Sequence, residues 1–321
     1  MIGTFRVGGL LILTIASISV APSFVRDTAQ SAESSDGRGP AARTSLDGTP
    51  ERIDTVTVEA QRRRELERRI SHFVSSFAVT YLNDSLQRWN APICPLVAGL
   101  SKEGEEFILA RFSQIARDAH APLAPERCRP NLYVVVTRNP NLLVEKWTRR
   151  DRAMFNSCNG YGYVREFLLS QHPVRAFYNA ALVSIDGAHR DLAALDVAGV
   201  RLDFALNACT SAGVAGSRLS YGAVQALSAV VIVVDGSRIS RLNMGQLADY
   251  VSMVGLAQIR LDANTGSAPS ILGLFRESDS PPQGLSLWDR SFLQGLYSTD
   301  QSSVLQVTAI RGRMIEQIVG R

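Results

Sequence analysis

Lysine is almost absent from this chain: only Lys102 and Lys146 occur among 34 basic residues, and the rest are arginine. The 30 acidic residues nearly balance the basic ones, so the net charge is only +4, which gives no indication of nucleic-acid binding. Four cysteines in 321 residues are too few for a small fold built on disulfides. With 45% hydrophobic and 20% charged residues, the composition also excludes a disordered chain, a collagen and a protein with many membrane spans.

The motifs of several common catalytic sites are missing as well. No C-x-x-C occurs, which argues against a redox pair and a zinc ribbon. No G-x-S-x-G nucleophile elbow is present, and the glycine-rich stretch 213–216 lacks the phosphate-binding pattern. No two histidines are four residues apart, so no helix can present a pair to a metal ion; they are His72, His120, His172 and His189. We therefore predict no catalytic residue, no metal site and no cofactor.

The N-terminus has the layout of an export signal. Arg6 precedes an uncharged, largely apolar run over 7–25, and Ser19-Val20-Ala21 supplies the small residues needed before a cleavage point. Residues 1–21 are therefore predicted to be a signal peptide; the alternative is an uncleaved N-terminal anchor, since the run is about long enough to span a thin bilayer. Either interpretation makes the protein periplasmic or secreted. Residues 22–60 have little apolar content and are predicted to be a disordered linker.

Residues 61–321 are predicted to form a single α+β domain in which helices cover a mixed sheet. Apolar residues at helical spacing indicate helices over 62–79, 101–120, 244–259, 287–298 and 304–319. Ser286, three residues before Asp289, has the pattern of a capping box at the start of the helix over 287–298. Runs rich in β-branched residues indicate strands over 132–137, 174–183, 201–208 and 226–234. The last of these strands is apolar on both faces, so we expect it at the centre of the sheet.

The four cysteines are an even number in a chain predicted to be exported, which indicates two disulfides. Three pairings are open. We favour Cys94–Cys128, which would join the two ends of the unit around helix 101–120, together with Cys158–Cys209. Each bridge would stabilise the fold by about 2–4 kcal/mol.

The C-terminal part of the chain resembles the second half of a metzincin-type zinc protease and is in that sense zincin-like. The resemblance rests on the strand ending at Asp235, the helix ending in Met253-Val254-Gly255-Leu256, the stretch 270–272 and the closing segment 285–297. In such proteases the helix carries H-E-x-x-H-x-x-G-x-x-H. Its histidines bind zinc, and its glutamate takes a proton from the metal-bound water.

Aligning Gly255 with the glycine of that motif identifies the positions of a degenerate site. Ala248, Ser252 and Gln258 then stand in place of the three histidines, and Asp249 stands in place of the glutamate. No imidazole or thiolate remains to bind zinc, so the resemblance implies a relic without proteolytic chemistry. Residues 60–321 are also similar to a group of exported proteobacterial proteins of unknown function. The similarity rests on segments 94–100, 246–250 and 288–290. Because that group has no assigned activity, this resemblance implies none for the chain.

The helix over 244–259 also has an explanation that needs no protease ancestry. Leu247, Tyr250 and Val254 belong to one apolar stripe at helical spacing, which favours a packing role. Asn243 is placed to cap the start of the helix, with Gln246 three residues further on.

These observations favour an exported, non-catalytic, pseudo-peptidase-like domain that binds an unknown protein or a component of the cell envelope. No nucleic-acid partner is expected, and contact with the membrane is expected only if the N-terminal segment is retained. One alternative is a metal-independent hydrolase whose site is assembled from distant residues such as Asp249, His72 or His189. The other is a scaffold tethered to the membrane by residues 7–25.

Overall fold

The computed structural model describes residues 51–80, 85–152, 154–155, 161–184, 196–197, 200–201, 217–278 and 280–320. Several predictions fall outside the described residues: the signal peptide, the linker up to residue 50, Cys158, Cys209, His189 and all but the first residue of the predicted strand 201–208. Within the described residues, no helix is long and apolar enough to cross a membrane.

The described residues form an α+β domain, which confirms the predicted fold class. The helices are α1 (Glu51–Phe77), α2 (Lys102–Asp118), α3 (Pro140–Arg150), α4 (Tyr161–Leu169), α5 (Met244–Leu256), α6 (Leu287–Ser298) and α7 (Gln306–Val319). The strands are β1 (Arg88–Trp89), β2 (Pro95–Ala98), β3 (Leu132–Thr137), β4 (Val174–Ser184), β5 (Asp196–Val197), β6 (Val200–Arg201) and β7 (Ala223–Asp235). β5 and β6 pair with each other in antiparallel orientation.

Strand β7 lies at the centre of a mixed five-stranded sheet, as the sequence predicts. β4 pairs with it in antiparallel orientation over almost its whole length. β1 and β3 pair with β7 in parallel orientation at successive stretches, so they share its opposite edge. β2 continues the sheet beyond β3, also in parallel orientation.

The side chains of β7 alternate between two apolar layers. Val230, Ile232 and Val234 belong to the larger core, to which α1, α2, α5, α6 and α7 contribute. Val231 and Val233 belong to a smaller core on the opposite face, to which α3 and α4 contribute. This explains why the strand reads as continuously apolar: both of its faces are covered.

Two parts of the helical structure differ from the sequence-based expectation. Helix α1 begins at Glu51 and therefore includes residues 51–60, which the sequence assigned to the linker. This part contains the β-branched run Thr55-Val56-Thr57-Val58, which has low helix propensity, so the sequence does not indicate a helix there. Helices α3 and α4 were not predicted, although Pro140 at the first position of α3 is a known start signal.

The disulfide Cys94–Cys128 is formed, as predicted, and closes a separation of 34 residues. It joins the residue before β2 to the loop that leads into β3. The side chain of Asn131 also connects these two segments. Its Oδ1 accepts from the amide of Cys94 at 2.7 Å, and its Nδ2 donates to the carbonyl of Pro92 at 3.0 Å.

Candidate functional site

Helix α5, which carries three of the four positions predicted for a degenerate site (Ala248, Asp249 and Ser252), is enclosed by the domain. It starts with a complete capping box: Asn243 Oδ1 accepts from the amide of Gln246 at 2.8 Å, and Gln246 Oε1 accepts from the amide of Asn243 at 3.1 Å. This agrees with the capping expected from the sequence. Every residue of α5 from Gln246 to Leu256 is buried, so Ala248, Asp249 and Ser252 do not face an open cleft.

The row of α5 residues at 249, 252 and 255 faces α2. Asp249 pairs with Arg111 of α2, and a Cβ added to Gly255 would lie 3.3 Å from the ring of Phe112, also on α2. Ser252 lies between these two contacts at helical spacing and is fully buried. The Ser252 hydroxyl donates to the carbonyl of Ala248 at 2.6 Å, so this buried polar group has a hydrogen-bond partner. The small residues Ser252 and Gly255 therefore permit close packing of α5 against α2.

The carboxylate of Asp249 is occupied by three hydrogen bonds. Arg111 Nε donates to Oδ1 at 2.6 Å and Nη2 donates to Oδ2 at 3.1 Å, which makes a two-point ion pair. The amide of Leu285 donates to Oδ2 at 2.7 Å. The backbone at Gly284 passes so close that a Cβ there would lie 2.7 Å from Oδ2. The hydrogen bond to Asp249 raises the pKa of Arg111, so this guanidinium keeps its charge.

The carbonyls at the C-terminal end of α5 are bonded by three aromatic side chains from other elements. Tyr178 of β4 donates to Val254 at 3.0 Å, Trp89 of β1 donates to Gly255 at 2.8 Å, and Tyr297 of α6 donates to Leu256 at 2.6 Å. Burial raises the pKa of the Tyr297 hydroxyl, so it remains a proton donor at neutral pH. A helix leaves its last carbonyls without partners, and here the surrounding domain supplies them.

Gln258, the position aligned with the third histidine, lies just beyond the end of α5 and is 4% exposed. Neither atom of its amide has a hydrogen-bond partner among the described residues. A lone neutral amide is a poor ligand for zinc.

The stretch 270–272, one of the segments on which the predicted resemblance rests, is fixed by a buried carboxylate. Asp289, fully buried, accepts from the Ser270 hydroxyl at 2.6 Å, from the Ile271 amide at 2.9 Å, and from both the amide and the hydroxyl of Ser286 at 2.9 Å. Burial raises the pKa of Asp289 and outweighs these hydrogen bonds, which act in the opposite direction. The capping box expected at Ser286 is present, and it also joins α6 to this stretch.

None of the described histidines is a hydrogen-bond partner of Asp249, whose partners are Arg111 and the amide of Leu285. His172 stacks near Tyr250 and Phe275, and its Nδ1 lies 2.7 Å from the carbonyl of Val174; burial lowers the pKa of its imidazole. His72 borders Gly266 near the end of α1. In the described part of the chain, the ion pairs involve arginine or lysine and never histidine, and no three His, Cys, Asp or Glu residues are grouped to hold a metal.

Arg111 opens onto a groove of about 700 Å³ between α2, α6 and α7, which we call the α2–α6–α7 groove. Its apolar wall includes Ile115 and Leu293, and its charged side chains include Arg290 and Glu316. Arg290 is exposed and makes no ion pair with any described residue. The groove therefore combines apolar surface with charges of both signs.

Sequence reasoning missed Arg111. Its signal is its position: it is three residues after Ile108 and four before Ile115, both on the buried stripe of α2, so its side chain starts on the buried side of that helix. A charged residue placed there needs a buried partner.

Comparison of the chain with known protein families, with characterised proteins and with solved structures found no match.

Proposed function

We propose that this chain is an exported, non-catalytic binding domain, a zincin relic in which the catalytic helix has become part of the core. The observation that supports this best is the bonding of Asp249. Its carboxylate side chain is 4% exposed and accepts from Arg111 and from the amide of Leu285. A general base has to reach a water molecule and a substrate, and a carboxylate enclosed in this way reaches neither.

The binding site in this proposal is the α2–α6–α7 groove. A concave groove lined by both apolar and charged side chains is typical of sites that bind another molecule. Arg290 supplies a positive charge that makes no ion pair with a described carboxylate, and the half-buried Leu287 contributes to the apolar lining. The ligand is a protein or a component of the cell envelope.

Export is supported by two independent features. The first is the charged and then apolar order of residues 1–21, and the second is the disulfide Cys94–Cys128, a bond that persists in oxidising compartments. Mass spectrometry of the mature protein tests the first feature. A mature N-terminus near residue 22 supports a cleaved signal, whereas an intact segment 7–25 would favour the membrane-tethered scaffold.

Metal analysis and a peptidase assay on the purified mature protein test the absence of catalysis. We expect the protein to contain no stoichiometric zinc. We also expect that no peptide-cleaving activity will be found that is lost on adding a chelator or in the Asp249→Asn variant. Stoichiometric zinc, or cleavage lost on chelation, would refute the proposal.

Photo-crosslinking in intact cells tests the groove. A photo-reactive residue at Gln317, on the wall of the groove, is compared with one at Glu166 on α4, which lies on the opposite side of the sheet. We expect a defined cross-linked species from position 317 that Arg290→Glu weakens, and no such species from position 166. Equal cross-linking from both positions would show that the groove is not the binding site.

A further inference from the structure

Four glutamines meet inside the domain where the sheet contacts the start of α7. Gln87 precedes β1, Gln225 lies in β7, Gln301 lies in the loop after α6, and Gln306 is the first residue of α7. We call them the glutamine cluster. All four are buried; Gln87 and Gln306 are each 1% exposed. Buried amides are costly unless each of their polar atoms has a partner, so the bonding of this cluster has to be accounted for atom by atom.

Two of these amides bond to the backbone of one residue, Leu86. Gln306 Oε1 accepts from the amide of Leu86 at 2.8 Å, and Gln301 Nε2 donates to the carbonyl of Leu86 at 3.0 Å and to that of Gln225 at 2.8 Å. Gln87 Nε2 donates to Gln225 Oε1. A backbone amide can only donate and a carbonyl can only accept, so these bonds fix which end of Gln301 and of Gln306 is oxygen and which is nitrogen.

Three buried atoms of the cluster have no hydrogen-bond partner among the described residues. They are the two acceptors Gln87 Oε1 and Gln301 Oε1 and the donor Gln306 Nε2, and all three are inaccessible to solvent among the described residues. Their side chains are anchored around the same short segment, Leu86–Gln87, and its neighbour Gln225. The remaining bonding capacity of the cluster is therefore two acceptors and one donor in one region of the interior.

We propose that the glutamine cluster is a binding site for one internal water molecule. A water donates two hydrogen bonds and accepts up to two, so it can donate to Gln87 Oε1 and Gln301 Oε1 and accept from Gln306 Nε2. Buried waters typically make about three such bonds to polar groups that have no other partner. If oxygen and nitrogen were exchanged in both Gln87 and Gln225, the site would offer one acceptor and two donors, which a water also matches.

The chemistry of the cluster excludes other small ligands. Its four side chains are neutral amides, and a buried ion would need an opposite charge or a full set of ligands to compensate for its lost hydration. An apolar molecule would leave the three polar atoms unpaired. The water would connect β1 and the loop after α6 to the first turn of α7, which makes it part of the contact between the last helix and the sheet.

A crystal structure of the wild-type protein at a resolution that shows ordered solvent tests the proposal directly. We expect one well-ordered water within about 2.6–3.2 Å of Gln87, Gln301 and Gln306. Direct pairing of Gln306 Nε2 with Gln301 Oε1, without solvent between them, would overturn the proposal.

The variant Gln306→Glu tests the bonding pattern in solution. It keeps an oxygen for the amide of Leu86 but replaces the free donor with a third acceptor, which one water cannot satisfy. Burial raises the pKa of such a carboxyl, so its loss of stability grows as the pH rises above about 4.3. We expect its Tm to lie several degrees below that of the wild type at pH 7 and nearer to it at pH 4. The control Gln283→Glu, at an exposed position, should show no such trend. An unchanged Tm for Gln306→Glu at pH 7 would refute the need for a donor there.

Discussion

Removing the carboxylate of Asp249 should destabilise the fold because it breaks the link between α2, α5 and the loop before α6. In Asp249→Ala, the amide of Leu285 loses its acceptor and the guanidinium of Arg111 loses its ion-pair partner. The variant Arg111→Met removes the other partner and leaves a buried carboxylate with a single donor.

The expected cost follows from the burial of the two partners. Breaking a fully buried ion pair costs about 3–5 kcal/mol because one charge stays behind without compensation. The side chain of Asp249 is 4% exposed but that of Arg111 is 26% exposed, so water can partly solvate the arginine. We therefore expect about 3 kcal/mol for Asp249→Ala, or a decrease in Tm of about 6 °C. The double variant should cost about 1–2 kcal/mol less than the sum of the single variants.

Urea unfolding followed by circular dichroism measures these free energies. The control is Glu145→Gln, which breaks the pair between Glu145 and Arg149 on α3, whose side chains are 50% and 76% exposed. An exposed pair of this kind contributes less than about 0.5 kcal/mol. A cost for Asp249→Ala no greater than that of the control, or strict additivity of Asp249→Ala and Arg111→Met, would refute a structural role for this pair.

Three further predictions concern other contacts of the fold. Gly255→Ala should cost about 1–3 kcal/mol in thermal unfolding, because its Cβ would lie within 3.3 Å of side chains on β3 and α2. The matched control Gly312→Ala, on α7 with nothing within 4 Å, should stabilise by about 0.5–1 kcal/mol; equal effects of both would contradict this packing. Replacing Cys94 and Cys128 together by serine should lower the free energy of unfolding in urea by about 4 kcal/mol, since the bridge closes a separation of 34 residues. A decrease of less than about 1 kcal/mol would contradict a stabilising role of this disulfide. Burial raises the pKa of Asp289, so the wild type should lose stability relative to Asp289→Asn as the pH rises above 3.8, and a parallel pH profile for the two proteins would exclude this.

The architecture could be predicted where a local pattern determines it. The apolar run of β7 predicted a strand covered on both faces, and the capping residues Asn243 and Ser286 predicted the starts of α5 and α6. These signals lie within a few residues of the structure they specify. The start of α1 at Glu51 was missed because its first turns contain the β-branched run 55–58, which has low helix propensity.

The candidate site could be predicted only in part, because its contacts join distant parts of the chain. The sequence singled out four positions of a predicted degenerate site, but whether they face a cleft depends on α2. Arg111 is 138 residues away from Asp249 in the sequence. The glutamine cluster was missed for the same reason: Leu86 and Gln306 are 220 residues apart. A single sequence gives no signal that such residues meet.

The hydrogen bond from Trp89 to the carbonyl of Gly255 gives the protein an internal optical probe. The indole of Trp89 is 1% exposed, so its emission should lie at short wavelength while the bond to α5 holds. The chain contains only three tryptophans, and replacing Trp147 and Trp288 by phenylalanine would leave this one. Its spectrum would then report when the end of α5 separates from the sheet.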